Sequence, residues 1–110
     1  MDILLFIRSA PGIDPEPLEL ALALAAFDQP PCLIFEGAGL QWLTKDIQAL
    51  APGGKSPAKL LKSLPLYDCD QVYYLDDEVP EGTQLNSIAS MVNSQQVSDW
   101  IASAKHCLSF

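Results

Sequence analysis

Ile3-Leu4-Leu5-Phe6-Ile7 is an unbroken apolar run, closed by Arg8-Ser9-Ala10-Pro11-Gly12. A strand with no polar position has no face to offer water, so it must be covered on both sides, as strands are in parallel sheets. This run is expected to be the central strand. Cys32-Leu33-Ile34-Phe35 and Val72-Tyr73-Tyr74-Leu75 are further short apolar strands, the first leaving at Glu36-Gly37-Ala38-Gly39 and the second at Asp76, Asp77 and Glu78.

Helical signals lie between these strands. Asp14 before Pro15 reads as a helix start, because a carboxylate can accept from free N–H groups while proline takes the first helical position without losing a hydrogen bond. The helix should run to about Phe27 and stop at Asp28-Gln29-Pro30-Pro31. Its apolar residues, Leu18 to Phe27 with Glu19 interrupting, cover most of the circumference, so it should pack against the sheet and against something else. Leu40, Leu43, Ile47 and Leu50 have amphipathic spacing, and Ala51-Pro52-Gly53-Gly54 breaks that piece. Ser56-Pro57 opens another helix with Leu60, Leu61 and Leu64 inward and Lys55, Lys59 and Lys62 outward. Ile88 to Ser90 is a weak strand. Asn93 or Ser94 caps a last helix with Val97, Trp100 and Ile101 on one face, and His106 to Phe110 reads as a terminal strand. Alternating strand and helix predicts one α/β domain over residues 1–110, a flavodoxin-like three-layer fold with a mostly parallel sheet of about five strands and helices on both faces.

Charge narrows the partners. Fourteen acids against six bases give a formal net charge of −8, a field that repels phosphate backbones, so direct nucleic-acid binding is not expected. No apolar run approaches the ~20 residues of a membrane span. The amino end lacks the basic region and cleavage site of a secretory signal, so the expected compartment is the cytoplasm. Cys32, Cys69 and Cys107 are odd in number and widely spaced, which argues against a disulfide framework or a zinc site and for free thiols.

Few motifs carry chemistry. Gly53-Gly54-Lys55-Ser56 follows a helix rather than a strand, with Ala49 where a phosphate-binding loop needs glycine, and reads as a helix connection. Gly37-Ala38-Gly39 begins a dinucleotide fingerprint, but Trp42 stands in place of the third glycine. Asp76, Asp77 and Glu78 offer hard oxygen ligands for magnesium or calcium, with Asp14 or Glu36 as further donors; a solvated acidic loop is the simpler reading. No cofactor or metal site is assigned. His106 and Cys107 are neighbours in a strand, so they face opposite ways and form no dyad. Cys69 is the most plausible reactive thiol because it lies in a loop, yet Asp68 and Asp70 beside it would raise its pKa. Cys32 reads as a core residue. Among the aromatic residues, Trp42 and Tyr67 are candidate interface anchors.

Leu5 to Gly12, then Leu61-Lys62-Ser63-Leu64-Pro65-Leu66-Tyr67-Asp68-Cys69-Asp70-Gln71-Val72, then a last helix into Cys107-Leu108-Ser109-Phe110, together resemble the DsrE/DsrF-like superfamily and its TusC/DsrF branch. The resemblance implies a flavodoxin-like subunit of a hetero-oligomer, a hexamer of three kinds of related chain, that relays sulfur as a protein persulfide to a downstream sulfur carrier protein. In that family one chain type carries the acceptor cysteine just after the strand matching Val72 to Leu75. Here Asp76 and Asp77 occupy that exit, which implies a non-catalytic partner of sister subunits. The pathway implied is tRNA 2-thiouridine synthesis or dissimilatory sulfur oxidation.

Two rival readings belong to other classes. One makes the chain a sulfurtransferase using Cys69. The other makes it a small-ligand or metal-binding module with Ser9, Glu36 and Asp76 in a crevice at the carboxyl ends of the strands.

Overall fold

The computed structural model describes residues 2–11, 15–44, 57–75, 79 and 84–110. The three apolar runs form strands where the pattern places them: β1 is Ile3–Ile7, β2 Cys32–Phe35 and β3 Val72–Leu75. β4 is Ser90–Val92 and β5 His106–Ser109. They make one five-stranded sheet of order β4-β3-β2-β1-β5. Every pairing in it is parallel, with Leu5 opposite Leu33 on one side and Leu108 on the other. β2 is therefore the middle strand and β1 its neighbour, a correction to the expected placing of β1 at the centre. The reason is that both β3 and β4 add on the β2 side, while only β5, which crosses back, lies outside β1.

Side-chain alternation divides the core into two layers. Leu5, Ile7, Leu33, Phe35 and Val72 point to the face that carries the helix Glu16–Ala26 (α1) and the helix Pro57–Ser63 (α2). Leu4, Phe6, Cys32, Ile34, Leu75 and Val92 point to the other face, under Val97 and Trp100 of the helix Ser94–Ser103 (α3). This is the expected three-layer α/β arrangement with helices on both faces.

α1 differs from expectation at its start. Pro15 is the capping residue, with Pro17 in the first turn, and no side chain among the described residues caps the helix; Asp14 lies outside the described residues. The apolar surplus of α1 is absorbed within the chain: Leu18, Ala21 and Ala25 are buried, and the helix packs on α2 and on the 3-10 turn Leu64–Tyr67 as well as on β1. The second body that its pattern requires is thus this chain's own α2 and the turn after it.

After β2 the chain takes a 3-10 helix over Gly37–Leu43, and Thr44 is extended and bridged to Leu85. Ile47, Leu50, Gly53 to Ser56 and Lys55 lie outside the described residues. β4 begins at Ser90 rather than ending there, because the Asn86 side chain accepts from the Ile88 N–H and holds residues 87–88 in a turn. Asn93 caps α3 through a reciprocal box: its side chain accepts from the Gln96 N–H at 2.8 Å, and its own N–H donates to the Gln96 side chain at 3.1 Å. Ile101 is exposed rather than inward.

Candidate functional site

The carboxyl ends of β1 and β2 bring Arg8, Ser9 and Glu36 to one edge of the sheet. The Glu36 N–H donates to the Ile7 carbonyl at 3.1 Å, which locks the two strand exits together. Arg8 pairs with Glu36 across them and lies 5.1 Å from the centre of the Phe6 ring. On the other side of β1, the N–H groups of Arg8 and Ser9 donate to the backbone oxygen of Phe110 at 2.8 and 3.1 Å.

The turn after β2 closes over this edge. A Cβ added to Gly39 would stand 1.8 Å from the Ile7 carbonyl oxygen, so the backbone at Gly39 approaches β1 as nothing larger could. That approach brings Trp42 down: its Nε1–H donates to the Ser9 carbonyl at 2.9 Å, and its ring is buried in the core. Ser9 and Glu36 are therefore brought to adjacent strand exits, as the crevice reading requires, but the space beside them holds the Trp42 indole and the Arg8 side chain. Asp76, Asp77 and Glu78 lie outside the described residues. Among the described residues, no three histidine, cysteine or acidic side chains gather as a metal site would need.

Trp42 is thus a core residue, and its expected interface role is corrected. The signal was present in Gly37-x-Gly39, where glycine marks a close backbone approach rather than a nucleotide phosphate. Tyr67 is exposed.

Cys69 is also corrected. It follows a loop in sequence but has no exposed surface. Asp68 adopts a left-handed conformation (φ 62°), which reverses the chain after the 3-10 turn and sends the Cys69 side chain inward. Its Sγ is 3.5 Å from the Pro31 carbonyl oxygen, and burial, then the Asp70 carboxylate, pushes its pKa up to about 11. Cys32 is a core residue as expected, its thiol pushed up to about 12 by burial and then by Cys69. Both thiols are held protonated at neutral pH, the form that does not attack sulfur or carbon. Cys107 is exposed on the edge strand β5, in register with Leu4, while the adjacent His106 is in register with Ile3. Tyr73 packs on Trp100 with ring centres 4.8 Å apart, and its hydroxyl donates to the Gln71 side chain at 2.6 Å; burial, then Cys32 and Asp70, raises its pKa.

No protein-family model matches the chain, and no curated protein matches it in sequence. Among solved structures, one superposes over all of both chains with a TM-score of 0.73. The chain shares its fold with the YchN protein from E. coli. Identity to YchN is 18%, so the likeness to YchN is one of architecture, and the side chains described above stand on their own geometry. No helix among the described residues is long and apolar enough to cross a membrane.

Proposed function

We propose that this chain is a non-catalytic DsrE/DsrF-like subunit of a cytoplasmic sulfur relay complex, of the TusC/DsrF kind. It gives shape and contact surface to a hetero-oligomer in which a sister subunit carries the acceptor cysteine, and the assembly hands persulfide sulfur to a downstream carrier, for tRNA 2-thiouridine synthesis.

The observation that carries this reading is the burial of Cys69. A relay thiol must reach a donor persulfide and leave as thiolate, and Cys69 is enclosed, bonded to Pro31 and raised in pKa. Together with acids rather than cysteine at the exit of β3, this favours sulfur travelling on another chain's thiol. The fold held in common with YchN over the full length supports the superfamily.

Co-expression with two small DsrE/DsrF-like chains, one bearing a cysteine after its matching strand, tests it. Co-elution as one hetero-oligomer is the expected result. A chain that stays monomeric in their presence refutes it.

A further inference from the structure

Two loops at the amino edge of the sheet share an unusual construction. In each, a helical segment ends on a large exposed apolar residue followed by an aspartate at φ 62°: Phe27 with Asp28 after α1, and Leu66 and Tyr67 with Asp68 after α2. Phe27 is 78% exposed, Leu66 82% and Tyr67 49%. The loops lie side by side, since Cys69 Sγ meets the Pro31 carbonyl at 3.5 Å and the Leu33 N–H donates to the Gln71 carbonyl at 2.8 Å. Leu64 and Cys69, turned into the core on either side, leave Leu66 no inward position.

Charge surrounds these apolar groups. Asp28, Asp68 and Asp70 are exposed, and none forms an ion pair with a described residue. Beside Asp28 a cavity of about 600 Å³ opens, lined by Asp2, Ile3, Gln29, Pro30, Lys105 and His106, which gives the edge relief for a partner's side chain. Large apolar side chains exposed on adjoining loops beside carboxylates have the make-up of a protein interface, apolar anchors with a charged rim.

We propose that this edge is a docking surface for a partner protein that presents lysine or arginine around an apolar anchor. A second copy of this chain would bring the same aspartates and a net charge of −8 against them, and anionic membranes and nucleic acids are repelled for the same reason. A basic partner gains on both counts: its apolar anchor covers Phe27, Leu66 and Tyr67, and its cations meet Asp28, Asp68 and Asp70. The surface rests on exposure and charge alone, and peptide binding to the isolated chain can succeed or fail whatever assembly the chain joins.

The test uses isotopically labelled protein, amide shift mapping and a synthetic helical peptide carrying lysine and arginine around leucine and tryptophan. Two control peptides replace either its apolar residues by serine or its basic residues by glutamine. The expected result is shifts confined to residues 27–30 and 66–71, and affinity about tenfold or more weaker for either control and for Leu66→Ser or Phe27→Ser. Met91→Ser and Ile101→Ser, on exposed apolar residues elsewhere, should bind as the parent does. Shifts spread over the acidic surface, equal binding of the serine control, no binding, or a homodimer in sedimentation that Leu66→Ser dissolves would each overturn the proposal.

Discussion

The indole N–H of Trp42 donates to the carbonyl of Ser9 at 2.9 Å, tying the turn after β2 to the exit of β1. Trp42→Phe keeps most of the buried ring but strands that carbonyl and removes one ring of packing. The expected loss is about 1–3 kcal/mol in urea unfolding. An unchanged midpoint would show that the bond contributes nothing to the closed edge.

Gly39→Ala acts on the same edge from the backbone. Its new methyl would overlap the Ile7 carbonyl oxygen at 1.8 Å, and the turn and strand β1 cannot draw apart without straining the Glu36 N–H to Ile7 carbonyl bond of 3.1 Å. A loss of about 3 kcal/mol or more is expected, read as a lowered melting midpoint together with a less buried Trp42 fluorescence spectrum.

The thiols should separate by reactivity. Alkylation of the native protein near neutral pH, followed by mass spectrometry, is expected to modify exposed Cys107 and spare buried Cys32 and Cys69, which react only in denaturant. Fast native labelling of Cys69 would contradict its placement in the core.

Alkaline pH should destabilise the fold through the same groups. In the unfolded chain these thiols titrate near 9.0, whereas in the native state Cys69 keeps its proton to about pH 11 and Cys32 to about pH 12. Above the lower value the unfolded chain binds fewer protons than the native one. Stability is therefore whole below the unfolded pKa and falls as pH rises toward the native values, by up to about 1.4 kcal/mol per pH unit per thiol. Urea midpoints across this range should fall less steeply for Cys69→Ala than for the parent. Equal slopes would mean that Cys69 already ionises normally in the native state.

Asn93→Ala removes the side-chain half of the capping box at α3, the acceptor for the Gln96 N–H, and leaves the backbone N–H of residue 93 on the Gln96 side chain. The expected cost is about 1 kcal/mol, with hydrogen exchange quickened in the first turn of α3 while β1 and β2 stay protected. A loss of protection throughout would show that α3 and the sheet open together.

The strands were legible because a parallel sheet demands unbroken apolar runs, and Ile3–Ile7, Cys32–Phe35 and Val72–Leu75 have no polar position to misplace. What sequence could not show was where strand order turns back, since β5 outside β1 is a long-range choice with no local signature. Cys69 and Trp42 failed for a related reason. A loop position reads as exposed until one left-handed residue, Asp68, turns the next side chain inward, and a tryptophan beside glycines reads as a surface group until Gly39 lets the backbone come close. Phe27 went the other way: it belongs to the apolar run of the first helix in sequence, yet it is thrown outward where that helix ends.

The proposed division of labour is tested most directly by following sulfur itself. A cysteine desulfurase and radiolabelled cysteine would be supplied to the chain co-assembled with its sister subunits, with persulfides trapped and mapped by mass spectrometry. Labelled sulfur on a sister subunit's thiol, unaffected by Cys69→Ser in this chain, is the predicted result. A persulfide on Cys32, Cys69 or Cys107 that forms and discharges as fast as the complex turns over would contradict it.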